Sequence, residues 1–514
     1  GMSFFDYEEL ERLDDKSYHS GLSAIKMKAM AMKFRHKALG YKFSTTEGKL
    51  AKTSSGPLSG SLTDPLQARS PQMPREGSVQ EVLGPDNIIG LKGIFWHPLC
   101  IPLVCAPLGI MSAILGWGDS LTFWLNFAAL IPLAKILGDA TEELAAGLHN
   151  DTVSGLLNAT FGNAVEVIVA VQSIRAGLYS VVKSSLLGSV LSNILLVLGM
   201  SFLFGGLTPS KTKKGKFHSF RGNNWNKRLI GLEKEQKFPI KSALISLGML
   251  FFACMVVVLP TLFNALPSDD EERVLKVSRI GAWITMSAYV MYLAFQLLTH
   301  AVTLSADDRM DGGESRVNLA PDTPAQPEDV FDSKDDDDEE DEESASIDLW
   351  VALLLMSLST LVVAINSGFL VDTIQKVAEG SGLPMGFIGV ILLPIAGNAC
   401  EHASALRFSM LDRPGLAIGI AVGSATQVAL LVIPLSVIIG QAIDKPMDLD
   451  FGVLNVAVVT FSLLVVVIML LDGRSNWFKG YVLCAMYVFI AALYLYIPPA
   501  FGDDDLLQVG RTTP

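Results

Sequence analysis

The sequence predicts an all-α polytopic membrane protein, and three observations support this fold class. The composition is 50% hydrophobic and only 18% charged, whereas soluble proteins are about 25% charged. The apolar residues come in runs of about twenty, which is the length of a helix that crosses a bilayer. These runs lack the alternation of barrel strands, so we expect a bundle of about eleven transmembrane helices.

The elements begin with a polar N-terminal tail. Residues 1–97 are rich in Ser, Gly and Lys and contain no apolar run long enough to cross a membrane. Residues 499–514 form a short C-terminal tail. Between the tails lie the predicted spans, each long enough for about 30 Å of hydrocarbon at about 1.5 Å per residue: 98–116, 119–138, 155–175, 179–206, 241–263, 279–303, 348–371, 384–410, 414–440, 451–471 and 478–498.

Charge is concentrated between the predicted spans. The formal net charge is −13, but residues 304–347 hold 17 acidic and three basic residues, which leaves the rest of the chain at +1. A nucleic-acid partner would therefore find no basic domain. The loop 207–240 carries nine Lys and Arg residues, which predicts that it faces the cytoplasm. Eleven crossings then place the N-terminus and the acidic linker 304–347 in the cytosol and the C-terminus in the lumen.

The chain contains an internal repeat. Gly162-Asn163-Ala164-Val165-Glu166 recurs as Gly397-Asn398-Ala399-Cys400-Glu401, and Gly188-Ser189 recurs as Gly423-Ser424, both at an offset of 235 residues. Two motifs that recur with one shared spacing indicate a duplicated unit rather than chance.

The duplicated unit predicts an inverted architecture. One extra helix at 98–118 precedes two five-helix repeats, 119–303 and 348–498. Because five is odd, the second copy enters the membrane from the opposite side, and the copies are related by a pseudo-twofold axis in the membrane plane. Glu166 and Glu401 then meet near the midplane. Inverted repeats around a central site are typical of alternating-access transporters. The lipid bilayer is then the environment of the protein.

The repeated acids predict an ion site. A carboxylate inside hydrocarbon costs about 2.5–3.5 kcal/mol on insertion scales, and two carboxylates repel each other, so a divalent cation or protons must relieve them. Mutually exclusive occupancy by metal and protons is sufficient for antiport. The nearby donors are hard oxygens, which suits calcium better than magnesium. These candidate donors are Asn163, Asn398, Ser189, Ser424, Asn193 and Gln427, with Ser192 and Thr426 beside them.

Other polar residues leave alternatives open. His402 serves in gating, in proton handling together with Glu166 and Glu401, or in packing. Three acids at the cytoplasmic end of span 119–138 either attract cations into a vestibule or solvate a helix end: Asp139, Glu142 and Glu143. The acidic run of the linker is either a disordered tether or a segment with a low-affinity calcium-collecting or regulatory role: Asp335, Asp336, Asp337, Asp338, Glu339, Glu340, Asp341, Glu342 and Glu343.

These motifs resemble those of the calcium/proton exchangers, the cation exchanger group of the calcium/cation antiporter superfamily. The resemblance covers about residues 98–498 and is carried by Asn158 to Glu166, Gly188 to Asn193, Gly397 to His402 and Gly423 to Gln427. It implies eleven helices, a vacuolar membrane, calcium as the transported ion, protons as the counter-ion and no cofactor. It also implies that Glu166 and Glu401 bind calcium and carry protons, and that the N-terminal tail is regulatory in some members.

Three other functions compete with this interpretation. Sodium/calcium exchange is the nearest alternative, but the signature of that family resembles Gly-Thr-Ser-x-Pro-Glu where this chain has Gly-Asn-Ala-x-Glu. A broader divalent cation exchanger also stays open, whereas a channel is disfavoured because the repeats are inverted. An enzyme is not expected, because neither HExxH nor GxxxxGK[ST] is present. The five cysteines lack CxxC spacing and are interpreted as small core residues.

Overall fold

The computed structural model of the protein describes residues 85–148, 151–208, 234–265, 271–299 and 346–496. The rest of the predicted tail, most of the acidic linker with its run 335–343, and residues 499–514 lie outside these ranges. The described helices are α1 (Pro85–Phe95), α2 (Pro98–Leu115), α3 (Asp119–Gly147), α4 (Asp151–Phe161), α5 (Ala164–Ala176), α6 (Tyr179–Leu207), α7 (Ile240–Asn264), α8 (Glu272–Thr299), α9 (Leu349–Ser381), α10 (Met385–Gly397), α11 (Ala399–Met410), α12 (Pro414–Ala442), α13 (Val453–Leu470) and α14 (Trp477–Tyr496).

The helices confirm the all-α polytopic fold class. By length and composition, nine of those described can cross a membrane, and a tenth crossing is formed if α10 and α11 count as one span bent by 59°. The prediction of a single helix over 384–410 is wrong, because the chain breaks at Asn398 between α10 and α11. The prediction of a single helix over 155–175 is also wrong. The structure has α4 and α5 there, and each is shorter than a span because the chain leaves helical geometry at Asn163, with φ −107° and ψ 24°.

The first helices of the two predicted copies, α3 and α9, pack against each other along their lengths. At one end the Glu143 carboxylate accepts the Ser346 backbone N–H at 2.6 Å. At the other end the Lys376 ammonium lies 3.0 Å from the Asp119 carboxylate. Because the start of each helix contacts the last part of the other, α3 and α9 are antiparallel, as inverted copies require.

Contacts at the ends of the helices join segments that alternating crossings place on the same side. Lys234, which precedes α7, pairs with Asp412 after α11 at 2.6 Å. Lys183 near the start of α6 pairs with Asp448 before α13 at 2.8 Å. Two short strands pair at the first of these ends, β1 (Gln236–Lys237) with β2 (Arg474–Ser475), antiparallel. The last residues of the basic loop, 234–237, and the segment before α14 therefore meet at the predicted cytosolic end.

The broken helices lie between two apolar cores. One core contains Ala170 and Ile174 of α5, together with buried side chains of α6, α7 and α12 to α14. The other contains Val165 and Val169 of α5, together with side chains of α2, α3 and α9. Helix α5 therefore packs into both cores, and the breaks are located where the two cores meet.

The repeated glycines give a test of this packing. A Cβ on Gly188 in α6 would lie 2.2 Å from the Val390 carbonyl oxygen of α10, whereas the same position at Gly423 in α12 has open space around it. We expect Gly188→Ala to destabilise the protein by about 1–3 kcal/mol through overpacking, with lower folded yield and thermal stability in detergent. Gly423→Ala is the matched control and should behave like the parent. Equal behaviour of the two variants would contradict this packing.

Candidate ion-binding site

Each helix break places a glutamate in the first turn of the helix that follows it. Asn163 precedes α5 and Asn398 precedes α11, with similar backbone angles of φ −107°, ψ 24° and φ −86°, ψ 18°. Glu166 and Glu401 then each occupy the third position of a helix, where the helix dipole favours a negative charge. The repeated sequence therefore forms the same local structure twice.

The two asparagines bond across the copies in an exchanged pattern. The Ser189 hydroxyl donates to Asn398 Oδ1 at 3.0 Å, and the Ser424 hydroxyl donates to Asn163 Oδ1 at 3.3 Å. Adding the offset of 235 converts Ser189 into Ser424 and Asn163 into Asn398. Exchanging the two copies therefore converts one hydrogen bond into the other. A pseudo-twofold axis between the copies produces this relation.

Two further bonds have no counterpart in the other copy. Asn163 Nδ2 donates to Gln427 Oε1 at 2.8 Å, and Asn193 Nδ2 donates to the Ser424 hydroxyl at 3.0 Å. The 235 offset relates Gln427 to Ser192 and Asn193 to Val428, so neither bond can form twice. The predicted donor Thr426 is directed elsewhere, since its hydroxyl donates to the carbonyls of Val422 and Ser246.

Both copies have a short π-helical turn at the donors. The turn Ser192–Val197 contains Asn193, and the turn Val428–Val432 begins directly after Gln427. A π-turn widens the helix locally and is frequent at functional sites. The sequence analysis missed these turns, because a π-turn leaves no pattern in residue types.

Several buried oxygen atoms of the site have no hydrogen-bond partner within the described part of the chain. These atoms are Glu166 Oε1, Glu401 Oε2 and Asn193 Oδ1. Such acceptors are costly in a protein interior unless a cation or a proton satisfies them. Within the described ranges, no group of three or more His, Cys, Asp or Glu side chains is placed to hold a metal. The candidate donors of this site are two carboxylates and neutral oxygen atoms.

A small cavity lies beside Glu166. It has a volume of about 20 Å³ and is lined by Glu166, Ser185, Ser189, Pro394 and Gly397, among apolar neighbours. This volume suffices for one water molecule or one ion. Ser185 was missed by the sequence analysis, although its position one turn before Ser189 on the same helix face was a usable signal.

The two glutamates lie in the same region of the protein. Glu166 Oε1 is 3.0 Å from the position that a Cβ would occupy on Gly397, so this side chain reaches the break of the other copy. Glu401 lies within electrostatic range of both Glu166 and Glu142. Two negative charges this close in a low-dielectric interior would repel each other, so they require a cation or a proton.

His402 faces the break rather than the carboxylate beside it. Its Nδ1 lies 2.6 Å from the Asn398 carbonyl oxygen. A carbonyl only accepts, so this bond requires the proton on Nδ1. The other nitrogen, Nε2, is buried without a partner in the described residues. The proton-handling role of His402 remains a prediction.

The three predicted vestibule acids have different surroundings. Asp139 pairs with Lys135, a lysine that is 7% exposed, four residues earlier in α3. Glu143 accepts hydrogen bonds at the start of α9, from Ser346 and Ile347. Glu142 lies within electrostatic range of Glu401. Lys135 was missed by the sequence analysis, although a lysine inside an apolar span, one turn from an acid, was a usable signal.

The Asn163 amide gives a test of the site. We expect Asn163→Ala and Gln427→Ala each to raise the KM for calcium, and the double variant to be less impaired than additivity predicts, by about 1 kcal/mol of coupling energy. Thr426→Val is the matched control, because its hydroxyl bonds elsewhere and its effect should add to that of Asn163→Ala. Additive effects for Asn163 and Gln427 in proteoliposome uptake would contradict this hydrogen bond.

Comparison with known proteins gives the family. The family profile described as sodium/calcium exchanger protein matches residues 120–298 and 350–496. Vacuolar cation/proton exchanger 3 of Oryza sativa subsp. japonica is 37% identical over 404 residues, which are 77% of this chain and 86% of that protein. The Ca(2+)/H(+) antiporter of Synechocystis sp. is 34% identical over 400 residues, which are 77% of this chain and 96% of that protein.

A solved structure agrees with these relatives. The selenium-substituted Ca2+/H+ antiporter protein YfkE has 29% sequence identity and a TM-score of 0.57, and the match covers 80% of this chain and 100% of YfkE. The resemblance inferred from the repeated motifs is therefore confirmed. The chain belongs to the sodium/calcium exchanger protein family of membrane transporters.

Proposed function

We propose that the protein is a secondary active antiporter that exchanges cytosolic calcium for protons from an acidic store. The observation that carries this proposal is the pair of glutamates that follow the two helix breaks. Each of them has a buried oxygen atom without a hydrogen-bond partner among the residues that the structure describes. The relatives named cation/proton exchanger and Ca(2+)/H(+) antiporter support it. In this proposal calcium is the cargo rather than a cofactor, and no reaction is catalysed.

The proposed coupling follows from the charge of the site. When calcium leaves, two carboxylates would remain buried and close together, which is costly in a low-dielectric interior. Protonation of the carboxylates removes this cost, whereas calcium binding requires the ionised form. Calcium and protons therefore exclude each other from the site. The empty site with two negative charges is too unfavourable for the protein to change its access state without a bound ion.

The donor set supports selection for a hard cation. Carboxylate, amide and hydroxyl oxygens suit calcium, which accepts six to eight oxygen ligands in flexible geometry. Beyond the glutamates, we propose Asn163, Asn398, Ser189, Ser424, Asn193 and Gln427 as its neutral neighbours. His402 is proposed to modulate proton transfer indirectly, through the backbone of the second break.

Alternating access requires that contacts between the copies open and close. Gly188 of α6 packs closely against the Val390 carbonyl of α10, and Gly389 of α10 packs against the Ser184 side chain of α6. Both contacts lie in the halves of these helices that the predicted topology assigns to the lumen. We propose that this α6–α10 contact closes the luminal passage and must separate when the site faces the store.

Location and cytosolic features complete the proposal. The relatives named vacuolar support a vacuolar membrane, with the N-terminus cytosolic and the C-terminus luminal as the basic loop predicts. Glu142 is proposed as the vestibule acid that communicates with the site. The acidic run Asp335 to Glu343 is proposed to collect calcium in the cytosol.

Neutral replacement of either glutamate tests the site. Glu166→Gln and Glu401→Gln should each reduce proton-driven calcium uptake to background while the protein still folds, because one permanently neutral side chain removes both a calcium ligand and a proton carrier. Glu379→Gln is the control, since Glu379 is an exposed glutamate that bonds Gln375 in α9. Uptake near the parent rate in either site variant would remove the central claim.

The identity of the counter-ion is tested separately, in proteoliposomes with imposed gradients. We expect calcium uptake to follow a pH gradient and to ignore a sodium gradient. Uptake that follows sodium would assign sodium/calcium exchange instead, a function that the family description also includes. Calcium current that persists without any counter-ion would indicate a channel.

A further inference from the structure

Helix α1 lies in the part of the chain expected to be a polar tail, yet it has two different faces. Asn87 and Ile94 are 4% and 5% exposed and point toward the protein. On the opposite face, Ile88, Ile89 and Trp96 are 53%, 58% and 82% exposed, and Phe95 is also exposed. An exposed apolar face of this kind indicates an interaction surface.

The inner face is bound to the start of α9. Asn87 Nδ2 donates to the Asp348 carboxylate at 2.7 Å, and the Asp348 backbone N–H donates to Asn87 Oδ1 at 2.7 Å. Gly90 permits this approach, because a Cβ there would lie 2.3 Å from Ile347 Cγ2. The contact therefore depends on a specific amide and a specific glycine, so α1 has a defined position on the protein.

The outer face of α1 continues into the exposed apolar surface of α2. Helix α2 begins at Pro98, only three residues after the end of α1, and its exposed side chains include Ile101 at 78% and Val104 at 65%. The Lys92 ammonium lies 5.8 Å from the centre of the Trp96 ring. Tryptophan and lysine are typical of the boundary between hydrocarbon and headgroups, where the ring is partly buried and the ammonium reaches the phosphates.

We propose that α1 is an interfacial helix whose outer face binds the lipid surface of the adjacent leaflet while its inner face holds the start of α9. The partner is a bilayer that contains anionic headgroups, which Lys92 complements. The contact between α1 and the start of α9 therefore connects α9 to the membrane surface. Because α9 packs along α3, the first helix of each copy is connected in this way. The proposal is independent of the transported ion and stands or fails separately from the antiport.

Site-directed spin labelling tests the location on the full chain. A cysteine at Ile89 carries a nitroxide, and the parent protein, whose described cysteines are buried or half-buried, gives the background labelling. The reconstituted vesicles contain phosphatidylcholine with one-quarter phosphatidylglycerol. Labels at Ile101 and Glu379 serve as the lipid and water references, and the label is placed at Ile88 if the Ile89 variant does not fold.

We expect the label on α1 to be more accessible to oxygen than to a water-soluble nickel chelate, as at Ile101. Lys92→Gln should weaken this preference in anionic vesicles and leave it unchanged in vesicles of phosphatidylcholine alone. Greater accessibility to the nickel chelate, as at Glu379, would overturn the proposal. Low accessibility to both reagents would also overturn it, because another part of the protein would then cover this face.

Discussion

The structure depends on the cost of keeping two carboxylates inside a membrane protein. An ionised carboxylate in a low-dielectric interior loses several kcal/mol of hydration, and a second one nearby adds repulsion. The helix breaks at Asn163 and Asn398 reduce this cost locally, since they place Glu166 and Glu401 at helix N-termini. The breaks do not satisfy every carboxylate oxygen, however, since Glu166 Oε1 and Glu401 Oε2 have no hydrogen-bond partner among the described residues. These acceptors are the reason that we propose a site that holds either a cation or protons.

Hydrogen bonds between the two copies explain why the candidate site lies between them. A serine and an asparagine of one repeat cannot bond each other in the observed pattern, because each asparagine bonds the serine of the other repeat. The site therefore exists only when both copies are assembled. The antiparallel packing of α3 and α9, with polar contacts at both ends, holds the copies in the required register.

Sequence patterns predicted the parts of this structure that are encoded by repetition. The shared offset of 235 predicted that Glu166 and Glu401 would come together, and the apolar runs predicted most of the helices.

Three features escaped prediction for physical reasons. A break inside an apolar run does not change its hydropathy, so α4 and α5 appeared as one span. The Glu143 contact with Ser346 depends on helix rotation and tertiary packing, which composition does not encode. The docking of α1 depends on Asn87 and Gly90, which look like ordinary tail residues until their partners are known.

The differences between the copies are as informative as the repeat. In an inverted-repeat carrier, the two access states are related by exchanging the roles of the copies. Two identical copies would make these states equal in energy, so any preference for one state must come from contacts that are not duplicated.

Two such contacts are the hydrogen bonds of Asn163 with Gln427 and of Asn193 with Ser424. Both lie on the side of the site that contains Asn163 and Ser424. On the opposite side the Ser189 hydroxyl donates to Asn398 Oδ1, and Asn398 Nδ2 donates to the Ser189 carbonyl oxygen at 3.3 Å. This side has Ser192 where the first side has Gln427. The two sides are thus held by different sets of hydrogen bonds, and we expect any preference for one access state to originate in this difference.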